Sequence, residues 1–357
     1  MENNMIYAEI DGKPLLRASN FELLRLVAMF MILMLHSNFG VNVNTIFQEF
    51  QLNPTSAFTR TWLHCMANVA VDLFVLLSGW FGIRAKFKGI FNIVFGVWFL
   101  GFSSFLVLHF GFGLDATTKQ WLDLFIPGSG LWFIHSYIIL YAFAPMLEVF
   151  VKSVDQRSFK KILIGLILIA GGFGWVRVLH DFNMGFSALH LMVVYLIGRY
   201  LKLHQPPITE WSKTVHLSLY LLVSVLMACV YLFTSAILGV QLPVEILYHY
   251  NSPFMLCASV SLFLFFSKIN LRSKVVNYLA ASSLAVYAIQ ECGIVRPVYM
   301  DFCKTLYMQS SGIMTFVVMG SFFLCFMMGC ILIDQVRIFV WKRLLVVLSK
   351  LPKCCQL

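Results

Sequence analysis

Arg25 and His36 stand eleven positions apart in one otherwise apolar stretch. At 3.6 residues per turn this is three turns plus ~20°, so on a helix the two side chains share a face, ~16 Å apart along the axis. Glu22 lies one turn before Arg25 on that face, a spacing suited to an ion pair. An imidazole is the side chain best matched to taking a proton near neutrality. A guanidinium suits an anionic group such as a phosphate. One helix face would therefore carry a fixed cation toward one end and a titratable base toward the other. The ordinary alternative is interfacial, with Arg25 snorkelling to one headgroup layer and His36 sitting at the opposite boundary. Asp72 falls inside a second apolar run, where an isolated carboxylate is costly. It would orient His36 as the acid member of a triad does, or be protonated or paired inside a helix bundle. Ser78-Gly79 reads as a small pair that lets helices approach closely rather than as a nucleophile.

The chain that must position these groups has 357 residues, 60% hydrophobic and 12% charged. A soluble domain carries about 25% charged residues, so lipid has to be the main solvent. Long apolar runs without alternation, such as 91–112 and 312–333, read as helices, because backbone groups have no water to bond to inside a bilayer. The fold class is all-α: a polytopic membrane protein of about ten transmembrane helices. The spans are expected near 21–39, 63–83, 90–111, 130–150, 162–179, 185–201, 215–239, 252–268, 277–294 and 313–340. The last is expected to leave the membrane near Asp334 and to continue as a basic helix. A leader (1–20), one transmembrane domain (21–340) and a basic tail (341–357) complete the organisation.

Lys and Arg are retained on the cytoplasmic side. Of the 26 in the chain, twenty fall on one set of alternate segments, five on the other, and Arg25 within a span. The bias puts both termini in the cytoplasm. The net charge of +10 is then topology and contact with anionic lipid, and its dispersion excludes a nucleic-acid footprint. The nine Cys form no CxxC pair and the nine His show no converging spacing, so neither a metal nor a disulfide framework is expected.

Five segments occur in an order that resembles the acyltransferase 3 family, bacterial membrane proteins that O-acylate surface polysaccharides and related envelope molecules. Asn20–His36 is similar to the family's first helix, with its Arg followed after ten residues by His. Val71–Trp80 resembles the second-helix signature ending in Ser-Gly-aromatic. Leu131–Pro145, Tyr195–Arg199, and Ser283–Glu291 followed by Val295-Arg-Pro297 resemble later signatures.

The resemblance implies an integral protein of the bacterial cytoplasmic membrane that takes an acyl group, in the first instance acetyl, from cytoplasmic acyl-CoA. The acceptor would be a hydroxyl of an envelope sugar, polysaccharide or lipid-linked glycan. His36 would be the general base and Asp72 its candidate partner. Arg25, oriented by Glu22, would sit on the CoA side, with Arg84 and Lys86 as further candidate CoA contacts. Trp132, Tyr137, Glu291 and Arg296 would meet the acceptor. Two departures stand out. The loop after the second helix reads Arg84-Ala-Lys86-Phe-Lys88 in place of an Arg-rich pair, and Gln290 replaces the usual late-helix His. Gln can hydrogen-bond but cannot act as a base. A transporter or flippase that moves a glycan without modifying it is the competing reading. It predicts inverted repeats and broken helices, of which only the Gly171–Gly174 stretch is suggestive.

Overall fold

The computed structural model describes residues 18–37, 50–125, 129–176, 182–234 and 245–348, with a short pairing of Glu9–Ile10 against Lys13–Pro14. Apart from that pairing, every regular element among the described residues is helical. The main helices are α1 (Ser19–His36), α2 (Pro54–Ala67), α3 (Ala70–Phe81), α4 (Phe87–Leu106), α5 (Trp132–Ser153), α6 (Gln156–Gly171), α7 (Ala188–His204), α8 (Lys213–Leu232), α9 (Pro253–Ser267), α10 (Lys274–Ala280), α11 (Ser283–Gln290), α12 (Val295–Gln309) and α13 (Ile313–Leu348). Their starts carry the expected chemistry. Asn53 and Ser252 cap α2 and α9 through side-chain oxygens, each followed by Pro at the first helical position, where a missing N–H has no cost.

Six segments are long and apolar enough to cross a bilayer: 19–36, 54–81, 87–111, 132–153, 213–232 and 313–346. This is an all-helical, multi-pass membrane protein. The helices at 156–171, 188–204 and 253–267 coincide with expected spans but are shorter. The expected 63–83 span begins earlier, at Pro54, with a one-turn break between α2 and α3. The expected 277–294 span is α10 and α11 in succession, after which the chain bends by 93° into α12, a helix the sequence reading took for a loop. The hydrophobic pattern of α12 is too weak to announce it, with Arg296, Asp301 and Lys304 breaking up its apolar residues.

The last helix runs unbroken to Leu348, continuing past Asp334 as a basic helix as expected, so the boundary placed at 341 falls inside it. Asp334 is buried and ion-paired to Arg337 one turn on, at 2.5 Å, while Arg337 also reaches Asn92 at 3.4 Å. The pair lets the helix carry a carboxylate without leaving the bundle. Most of the leader, the end of the tail from 349, Arg177 and the outer ends of several expected spans lie outside the described residues.

α1 is the hub, packing against α2, α3, α9, α10, α11 and α13. Its first turn is tied down by Asn20, whose amide donates to the Phe266 carbonyl at 3.0 Å, and by Ser19, whose hydroxyl accepts the Ser273 N–H at 3.0 Å. Its last turn is held by Tyr299, whose hydroxyl donates to the Leu33 carbonyl at 2.7 Å. The closest crossing is α3 on α7, where Gly79 and Gly198 meet. A Cβ on Gly79 would lie 2.3 Å from the Tyr195 carbonyl oxygen, and one on Gly198 would lie 2.7 Å from that of Leu76. Ser78-Gly79 is thus a close-packing pair, as such pairs are in membrane helices.

Beside this crossing Asp72 is fully buried. It accepts a 2.8 Å hydrogen bond from His190 Nε2 on α7 and a 3.1 Å bond from Ser259 on α9. The expectation that Asp72 orients His36 is therefore corrected: its carboxylate serves the junction of α3, α7 and α9.

Two substitutions test this packing. Gly79→Val should destabilise the detergent-solubilised protein by at least ~3 kcal/mol, because backbone cannot yield as a side-chain tip can; a melting temperature equal to wild type would contradict the crossing. Asp72→Ala strands His190 in the core and should cost ~3–5 kcal/mol. Asp72→Asn keeps the acceptor for His190 and offers its NH2 to the Ser259 oxygen, whose proton can go to the Met255 carbonyl, so it should recover most of that loss in the same thermal melt.

Candidate functional site

The polar face of α1 opens into a cavity of about 280 Å³. Arg25 and His36 both line it, three turns apart, together with Met29 and Ile32 from the same face. α3 contributes Ser78, α5 Trp132 and Tyr137, and α11 Tyr287. The 3.6-residue period thus brings the guanidinium and the imidazole to one enclosed space, as the eleven-residue spacing predicts. At one end Arg25 is held by Glu22, with a guanidinium nitrogen 3.2 Å from both carboxylate oxygens. Glu22 is buried and Arg25 is about a third exposed, so the cation keeps a free flank toward the cavity.

At the other end His36 is set by the end of α11. Its Nδ1 lies 2.6 Å from Gln290 Oε1 and 3.0 Å from Glu291 Oε1. Only the Gln290 contact has the alignment of a hydrogen bond; the Glu291 oxygen has proximity without it. A carboxylate can only accept, and so can the amide oxygen, so Nδ1 is the nitrogen that carries the proton. Nε2 is left with its lone pair. The outer oxygen of Glu291 is taken by Arg296 at 2.7 Å, which balances the buried carboxylate's charge. Gln290 itself is fully buried.

The wall between the two ends is aromatic and hydroxylic. Ser78 and Tyr137 share a 3.1 Å hydrogen bond, and Ser78 also donates to the Phe74 carbonyl one turn back. Trp132 stacks on Tyr250, which in turn stacks on His190 of the Asp72 junction. Tyr287 lies beside the His36 ring, at 6.3 Å between centroids, and its hydroxyl donates to the Gly130 carbonyl. A second cavity, of about 340 Å³, adjoins the far side of Glu291 and is lined by Arg296, Lys119, Gln120 and Asp123.

The sequence-derived residues therefore separate into groups. Arg25, His36, Trp132 and Tyr137 line one cavity, and Glu22 braces Arg25. Glu291 and Arg296 line the second cavity and reach the first only through His36. Asp72 stands behind the wall. Arg84 and Lys86 are exposed on the segment between α3 and α4 and do not line either cavity. Gln290 is the residue that sequence reasoning discounted. It was weighed as a replacement for a base, whereas its carbonyl is a hydrogen-bond acceptor for the base on α1. Tyr287 went unnoticed too, although it lies one helical turn before Glu291.

The arrangement puts a group that can take a proton at one end of a cavity and a group that can hold an anion at the other. Residues 19–335 match a family model described as an acyltransferase domain. No curated protein and no solved structure matches the chain. The matched stretch begins with the first residue of α1 and ends within α13, so it takes in every helix that builds the His36 cavity, and the chain belongs to the acyltransferase 3 family of membrane proteins.

Proposed function

We propose that this membrane acyltransferase passes an acetyl group from cytoplasmic acetyl-CoA to a hydroxyl of an envelope sugar, polysaccharide or lipid-linked glycan. The observation that carries the reading is the cavity that holds Arg25 at one end and His36, its Nδ1 turned to Gln290, at the other. Acyl transfer from a thioester needs a base for the hydroxyl proton, donors for the oxyanion and a grip on the donor's phosphates. His36 Nε2 takes the proton as the acceptor oxygen attacks the thioester carbonyl. With the Ser78 proton held by the Phe74 carbonyl, the Tyr137 hydroxyl is the donor in the cavity wall that turns from Ser78 to the oxyanion. The carbon–sulfur bond then breaks, and the leaving thiolate recovers the proton from the imidazolium. Throughout, Gln290 holds Nδ1–H and with it the orientation of the ring.

We assign the donor to the Arg25 side because Tyr137 in the cavity wall lies one turn along α5 from Tyr141, which holds the backbone of Arg84 and Lys86. Trp132 offers an aromatic face for a sugar next to His36. The break after α6, a π-turn over Gly172–Val176, is the feature a transporter would need, and it contributes nothing to the lining of the cavity.

The topology follows the same lines. We count ten crossings by adding to the six long apolar segments the shorter helices at 156–171, 188–204 and 253–267 and the α10–α11 stretch. With both termini in the cytoplasm of a bacterium, His36 sits toward the outer leaflet and α12, bent by 93°, runs along the outer surface.

His36→Ala should reduce O-acetylation of the cell envelope by 10²–10⁴-fold at unchanged protein level, leaving glycan export intact; loss of export with normal acetyl content would establish the transporter instead. Gln290→Leu should cost about tenfold, the magnitude of one hydrogen bond of ~1.4 kcal/mol, and His36→Ala should mask it in the double variant. In a cysteine-free background, Lys304→Cys should react with a membrane-impermeant maleimide in intact spheroplasts and Lys88→Cys only after permeabilisation. The reverse pattern would invert the topology.

A further inference from the structure

The segment between α3 and α4 carries Arg84 and Lys86, and Lys88 follows in the first turn of α4, all exposed and without an ion pair among the described residues. Three cations so close together repel one another, and of the residues between Gly82 and Lys86 Ile83 packs against the core. The structure fixes the backbone of the segment from two sides. Tyr141 of α5 accepts the Lys86 N–H at 2.9 Å, and its hydroxyl faces the carbonyls of Lys86 at 3.1 Å and Arg84 at 3.3 Å. Tyr195 of α7 accepts the Ile83 N–H at 3.2 Å and donates its proton to Glu148 at 2.5 Å. Glu148 is in turn clamped by Arg199 at 2.8 and 3.0 Å.

Glycines make room for both contacts. Gly82 turns the chain with φ +75, and its α-carbon faces the Arg199 guanidinium. A Cβ on Gly89 would fall 2.2 Å from the Tyr141 hydroxyl. Tyr141 is also one turn along α5 from Tyr137, which lines the Arg25 cavity. The same helix face thus meets the cavity and then the cationic segment.

We propose that Tyr141 and Tyr195 are positioning residues that hold the Gly82–Lys86 backbone in the shape in which Arg84 and Lys86 grip the phosphates of acyl-CoA, with Glu148 and Arg199 locking Tyr195. Neither tyrosine touches the reacting atoms; each acts through the backbone it anchors. The geometry suits this purpose because the hydroxyls bind main-chain groups and leave all three basic side chains unpaired. The inference rests on the acyl-CoA reading above, and the test separates the two.

Purified full-length protein in detergent is assayed for binding of radiolabelled acetyl-CoA, with unlabelled CoA, 3′-dephospho-CoA and pantetheine as competitors. Pantetheine has the thiol arm and no phosphate. In Tyr141→Phe and in Tyr195→Phe, CoA should compete about tenfold less well than in wild type, as expected when one or two hydrogen bonds that shape a phosphate site are lost. Pantetheine should compete as before. Arg84→Gln combined with Lys86→Gln should show the same selective loss. Tyr141→Phe removes only a half-exposed hydroxyl, so this variant folds even if Tyr195→Phe does not. Unchanged CoA affinity in Tyr141→Phe overturns the proposal, and so does an equal loss for CoA and pantetheine, the mark of a merely structural role. If wild type binds no acetyl-CoA, the donor assignment itself is wrong and the proposal falls with it.

Discussion

A charged or hydrogen-bonding side chain cannot be left in hydrocarbon, and that constraint organises this bundle. α1 places Glu22, Arg25 and His36 on one face, and lipid offers none of them a partner. The solution is to surround α1 with six helices, so that the face looks into protein-bounded space. Each polar group then finds a fixed contact: Glu22 for Arg25, and the end of α11 for His36. The cavity is a product of the same requirement. Apolar residues alone would have let the neighbours close against α1, whereas a guanidinium and an imidazole need volume and a polar lining.

The same logic recurs around the cavity. Asp72 joins α3 to α7 and α9 through His190 and Ser259. Glu148 joins α5 to α7 through Arg199 and Tyr195. Arg337 joins α13 to α4 through Asn92, with Asp334 as its counter-ion. Where no hydrophobic effect favours helix contact over lipid contact, such pairs and the Gly79–Gly198 approach define which helices meet and in what register. The walls of the cavity are therefore tied together at the points where polar groups cross between helices. The lipid-facing surface, rich in Phe and Leu, sets no register of its own.

Much of this was legible in the sequence, and the limits are physical. Apolar run length gives away membrane helices, because the bilayer imposes one length scale. The common face of Arg25 and His36 follows from the helical period alone. Pairings between distant segments do not. For Asp72 the sequence leaves three readings open, a partner for His36, a protonated acid or a pair inside the bundle, because nothing in one helix's sequence says which neighbour packs on it; the structure shows the pair inside the bundle. His190, 118 positions away, was the true partner. The position of Asp334 reads locally as a helix leaving the membrane. Its (i, i+3) spacing to Arg337 was the available sign that the charge is cancelled in place. α12 failed on another ground: an amphipathic segment with scattered charges has the pattern of a loop unless its one-sided burial, through Val295, Tyr299 and Cys303, is noticed.

Gln290 shows best how a departure from a family pattern is to be weighed. Judged as a residue that might move protons, glutamine is a loss, since it neither ionises nor accepts a proton at working pH. Judged by its contact, it is the acceptor that fixes the His36 ring. An amide oxygen binds Nδ1–H without adding charge to a site that already contains Glu291, and the Arg296 guanidinium on the other oxygen of Glu291 draws that carboxylate's charge outward. A histidine at this position could hold His36 only in one of its own tautomers, so two rings would have to agree on their protons. Glutamine has no such choice to make. The chain keeps one ring on α1, and on α11 it places beside that ring a neutral, fully buried acceptor.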